Sequence, residues 1–130
     1  MTDSTAIESE VPAAAKQAGP PGYTPDGPRS ATFDASRFGY GTLTFGEPLY
    51  GRFKAFQRAQ MRGSNKAEAL MLRAFVKRAS GTGFPKTDAP LKAWADFVAN
   101  EPLSSVAAVL SAASYFSDVL AKDVNPAGNG

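Results

Sequence analysis

The sequence predicts a mainly α fold: a small helical domain of about four helices, preceded by a short extended or strand segment and a disordered N-terminal arm. Three observations carry that expectation. Apolar residues recur at helical spacing through most of the chain after Glu47, and capping residues and helix breakers punctuate them. Residues 1–30 hold almost no bulky apolar side chains.

The arm comes first. Residues 1–30 read MTDSTAIESEVPAAAKQAGPPGYTPDGPRS, rich in Pro, Gly, Ser, Thr and Ala. Such a segment buries too little apolar surface to offset its ordering entropy. Residues 1–35 are therefore expected as a disordered Pro/Gly-rich arm, residues 36–122 as the helical domain and residues 123–130 as a flexible tail. Pro20-Pro21-Gly22 and Pro25-Asp26-Gly27 supply turn or linker chemistry.

In FGYGTLTFG, residues 38–46, Tyr40, Thr42 and Thr44 alternate with Leu43 and Phe45. Period-two alternation predicts a short strand, weakened by Gly39 and Gly41. A single strand has no independent stability, so it must pack on the helices or pair with another chain.

Four helices follow. The first begins near Glu47-Pro48, carries Leu49, Phe53, Phe56 and Gln60 as one stripe, and stops at Gly63. The second takes Asn65 as cap with Glu68 three residues on, buries Leu70, Met71, Ala74, Phe75 and Val76, and ends near Gly81. Thr87-Asp88 and Pro90 open the third, whose core side is Leu91, Trp94, Phe97 and Val98. Pro102 opens the fourth, which runs to about Lys122 on a stripe of Leu103, Val106, Leu110, Ala113, Phe116 and Leu120. Met61 and Met71 are expected as core filler.

Charge is small overall, +2, but unevenly spread. Residues 51–78 hold eight Lys/Arg and one acid, Glu68, while the segments on either side are net acidic. On helices, Arg52, Lys54, Arg58, Arg62, Lys66, Arg73 and Lys77 lie away from the apolar stripes. They form a candidate basic face for a partner. The Phe residues between them turn inward, so the stretch lacks the exposed aromatic platforms of a single-strand binder. The basic second helix after a Gly63 turn is still compatible with a nucleic-acid contact, the second alternative.

The chain has no Cys and no His. Disulfides, the usual zinc sites and Ser-His or Cys-His nucleophile pairs are thereby excluded. Neither GYGTLTFG nor GTGFPKT fits a phosphate-binding loop: the first has displaced glycines, and the second lacks a Gly before Lys86 and places Pro85 where a donor is needed. Carboxylates do not pair at catalytic spacing. No enzyme activity, cofactor or metal is expected. No secretory start occurs in the first 30 residues, and no uninterrupted apolar run approaches a bilayer span of about 20 residues, so no membrane partner is expected.

From LTFGEPLYGRFKAFQRAQ onward, the order of features resembles the tail assembly chaperones of tailed bacteriophages. The matching pieces are Leu43–Glu47, the helix through Arg58, ALMLRAFVKRASG, LKAWADF with Leu91, Asp96 and Phe97, and the Leu103–Phe116 helix. They span roughly residues 40–118. The resemblance implies a non-enzymatic protein of the host cell cytoplasm. It would bind the tape measure protein and help recruit tail-tube protein during tail morphogenesis. Leu103, Val106, Leu110 and Phe116 are the candidate apolar surface for the partner or the core, and a homo-oligomer is compatible with that role. The long Pro-rich arm and the positive centre depart from the family pattern. They leave a virion structural protein, a tail or head–tail component whose arm wraps a neighbour, as the first alternative.

Overall fold

The computed structural model describes residues 19–124. Strands β1 (Tyr23–Gly27), β2 (Ser30–Ala35), β3 (Gly41–Gly46) and β4 (Val76–Ala79) form one antiparallel sheet in the order β1-β2-β3-β4. Helices α1 (Tyr50–Met61) and α2 (Ala67–Phe75) lie between β3 and β4, and α3 (Leu91–Asn100) and α4 (Leu103–Val124) follow β4. The fold is therefore α+β, which overturns the expectation of a mainly α domain with one strand-like segment. Residues 23–35 of the expected disordered arm are β1 and β2, and Asp123 and Val124 of the expected tail belong to α4. Residues 1–18 and 125–130 of that arm and tail lie outside the described residues.

The hairpin forms because its two faces differ. In β2, Ala31, Phe33 and Ala35 are buried while Asp34 is exposed, and Phe33 pairs with Leu43 and Ala31 with Phe45 across β3. Pro25 sits on the edge strand β1, where its missing N–H breaks no ladder. A short 3-10 turn, Ser36–Phe38, links β2 to β3. Gly39 closes it at φ +87, with its N–H donating to the Ser36 carbonyl at 2.9 Å.

The apolar run Phe75-Val76 straddles a change of structure. Phe75 ends α2, Val76 turns extended at φ −78 and ψ 121, and Val76 pairs with Phe45. The second helix thus stops five residues before Ser80, and what patterning reads as its last turns is β4. Helix starts also shift: α2 has Lys66 at its cap position, with no side-chain cap, and α3 begins at Leu91 after Pro90.

The sheet's inner face and the helices enclose the core. Helix α2 is central and touches α1, α3 and α4. One aromatic cluster joins Phe45, Phe53, Phe56, Phe75 and Phe116, with the Phe45 and Phe116 rings stacked at 5.8 Å. A second joins Tyr40, Phe84, Trp94 and Phe97, with Phe84 and Phe97 edge-to-face at 4.8 Å. Each fully buried large side chain contributes about 1.5–3 kcal/mol of burial. Tyr40 also donates its hydroxyl to the Glu101 carboxylate at 2.6 Å, pinning β3 to the α3–α4 joint.

Gly81 marks a close backbone crossing. Its N–H donates to the Tyr40 carbonyl at 2.9 Å, and a Cβ there would run into that same carbonyl and the Gly41 nitrogen. Gly41 of GYGTLTFG and Gly81 of GTGFPKT serve this crossing. Helix α4 has the length and composition to cross a membrane, with a mean hydropathy of 1.4 over its most apolar window. Here its Val109, Ala112, Ala113 and Phe116 are buried in the core.

Candidate functional site

The seven cations of the expected basic face do not form one surface. Arg58, Arg62 and Lys66 are exposed around the α1–α2 turn. Lys54 is half-buried, with its ammonium donating to Gln57 Oε1 at 3.0 Å and lying 5.9 Å from the Tyr50 ring. Arg52, Arg73 and Lys77 converge where α1, α2 and β4 meet. Arg52 reaches the Arg73 carbonyl at 3.4 Å, and Arg73 Nε is buried without a partner among the described residues. Burial lowers the Lys77 pKa, repulsion from Arg52 lowers it further, and Glu47 draws it partly back. None of the seven takes part in a salt bridge among the described residues.

The four expected apolar partner residues also divide. Phe116 and Val106 are core, at 1% and 7% exposure, whereas Leu103 is 85% exposed and Leu110 half-buried. Leu103, Val106 and Leu110 line a shallow groove of about 400 Å³ with Val98 and Ala107, and its rim carries Glu68 and Glu101. Met71 is buried as core filler, but Met61 is 81% exposed.

A larger cleft lies elsewhere. Between the start of α1 and the end of α4, Pro48, Tyr50, Phe53, Phe75, Leu120 and Val124 line a hollow of about 540 Å³. Phe53 and Phe75 of the all-Phe cluster line it, and its rim is apolar: Tyr50 is 76% exposed, neighbouring Leu49 66% and Val124 43%. Glu47 stands at one margin. Arg29, in the β1–β2 turn, donates to Glu47 at 3.2 Å and to Asp123 at 2.8 Å, tying the hairpin to the entry of α1 and the end of α4. Those contacts fix the walls of the cleft relative to one another.

Sequence reasoning placed Leu49 and Phe53 in the first helical stripe and missed the cleft. The signal was present: Leu49, Tyr50 and Phe53 give α1 more apolar surface at its start than one stripe can bury. What the sequence did not reveal was that β3 delivers α1 beside the far end of α4.

Among the described residues, the polar side chains pair locally and offer binding chemistry. Asp34 is held below the usual carboxylate range by hydrogen bonds from the Ser36 hydroxyl and N–H. Lys92 and Asp96 pair at 2.9 Å along α3. Among the described residues, no three His, Cys, Asp or Glu side chains gather as metal ligands. No family model, curated protein or solved structure matches the chain.

Proposed function

We propose that this protein is a non-enzymatic tail assembly chaperone. It seats an apolar helical segment of a tape measure protein in the α1–α4 cleft in the host cytoplasm and helps bring tail-tube subunits to it. The observation that carries the reading is the cleft: an apolar hollow whose rim residues Tyr50 and Val124, with neighbouring Leu49, stay exposed in the isolated chain. Grooves of this kind accept the apolar face of an amphipathic helix, with anchors at i, i+3, i+4 and i+7. The order of features that resembles the phage family supports the identity of the occupant. One piece of that resemblance departs from the pattern, since the end of ALMLRAFVKRASG is strand β4 and not helix.

Co-expression with the tape measure protein of the same genome tests the reading. The expected result is a soluble complex on a sizing column, lost on Tyr50→Asp. A tape measure protein that stays insoluble beside the folded wild-type chain overturns it. Mass spectrometry of purified particles separates the chaperone from the virion component, because a chaperone leaves before the tail is complete.

A further inference from the structure

The edge strand β4 carries two adjacent cations, and the ladder explains why both face the same way. Phe45 pairs with Val76 and Thr44 with Arg78, so Lys77 is the extra residue of a β-bulge. Arg78 shares the outer face with Thr44. Lys77 lies over Gly46, two residues along β3 from Thr44 and therefore on that face too. A regular strand would have sent one of the two inward.

Beyond β4 the chain turns back on itself. Gly81, Thr82, Phe84 and Pro85 wall a groove of about 400 Å³ along the strand, and Lys77, Arg78 and Lys86 rim it. Among the described residues, no Asp or Glu lines this groove. Phe84 closes its base at 7% exposure, with its ring engaged by Tyr40, Trp94 and Phe97. Among the described residues the strand has a neighbour on one side only, and an edge strand offers unpaired backbone donors and acceptors to another extended chain.

We infer that the β4 edge accepts an extended acidic peptide of a partner protein as a fifth strand, with Lys77, Arg78 and Lys86 pairing its carboxylates. Charge complementarity selects this occupant. A second copy of the chain pairing edge to edge would set Lys77 and Arg78 against their own counterparts, which like-charge repulsion opposes. A nucleic-acid strand would need exposed aromatic rings for its bases, and Phe84 is committed to the core. Lysine on an edge also guards against self-pairing. A guard, however, needs neither a groove nor a third cation, Lys86, across from the strand. The surface is separate from the α1–α4 cleft and stands or falls without it.

The test is an NMR titration of the 15N-labelled chain with a short peptide alternating Thr and Glu, beside its Thr/Lys counterpart and oligothymidylate. Chemical-shift changes and new amide protection at Lys77–Ala79, specific to the acidic peptide and weakening with salt, are expected. The triple substitution K77E/R78E/K86E should lower its affinity about tenfold, three rim-exposed pairs together being worth about that factor. The neutral K77Q/R78Q/K86Q should fall between. Perturbations away from β4, equal binding of the lysine peptide, or no loss in the glutamine variant overturn the proposal. Tighter binding of oligothymidylate than of the acidic peptide assigns the groove to nucleic acid instead.

Discussion

The two aromatic clusters, one all Phe and the other Tyr, Trp and two Phe, end differently. Around Tyr40, Phe84, Trp94 and Phe97, the loop after β4, helix α3 and the start of α4 close from every side, leaving Trp94 and Tyr40 at 0% and 1% exposure. Around Phe53 and Phe75, the wall formed by the start of α1 and the end of α4 stays open, with Tyr50 and Val124 left in solvent. Aromatic content therefore does not by itself mark core or interface. What decides is whether an element arrives to cover the rings. The closed cluster buries every ring, and the open one leaves Phe53 half-buried beside the exposed Tyr50.

The largest effect should come from the closed cluster. Trp94→Ala is expected to cost about 3–5 kcal/mol in urea unfolding, as full truncation of a buried indole does. A loss no larger than that of an exposed substitution would break the contrast at once. Tyr40→Phe keeps the ring and removes the hydrogen bond to Glu101, so about 1 kcal/mol should go, with Glu101 able to turn to water.

A third measurement follows Tyr23, which packs edge-to-face on Tyr115 of α4 at 4.9 Å. Burial, with smaller contributions from Tyr115 and Asp26, pushes its hydroxyl up to about 12. The unfolded chain loses this proton near pH 10, whereas the folded chain keeps it. The stability involved is thus fully present below pH 10 and lost as the pH rises toward 12. The melting temperature should fall across that window, and Tyr23→Phe should flatten the fall; an unchanged slope would mean that the Tyr23–Tyr115 contact between β1 and α4 is solvated. The smallest effect on folding belongs to the open cluster. Tyr50→Ser should change stability by under about 0.5 kcal/mol, as surface substitutions do, while abolishing capture of the helical partner. Should it unfold the protein, the cleft is core and the contrast fails.

The four helices of the described residues were legible in order from their periodic apolar stripes, and Gly63, Pro90 and Pro102 stand at or near real boundaries, whereas α2 ends with no breaker. The hairpin β1–β2 escaped for a physical reason. Its inward residues include Ala31 and Ala35, too small to signal burial, and its Thr and Pro content is shared with linkers. The turn itself, Pro28-Arg29, carries none of the Asn-Gly or Asp-Gly chemistry that marks two-residue hairpins. Strand β4 escaped because Phe75 and Val76 continue a helical stripe, and only pairing with Phe45 makes Val76 extended. Of the candidate surfaces, the outward direction of Arg58, Arg62 and Lys66 was legible from periodicity. The convergence of Lys77 and Arg78 was not, since a bulge is a property of two strands.

No loop separates α2 from β4: Phe75 is the last residue of one and Val76 the first of the other. The junction has no slack, so it behaves as a phase lock between two different periods. Inserting one residue there would turn the helix by about 100° relative to the strand or flip every strand side chain across the sheet. Phe75 faces the α1–α4 cleft, and Lys77 rims the groove two residues later. With no loop to absorb it, a tilt of α2 would carry Lys77 and Arg78 with it.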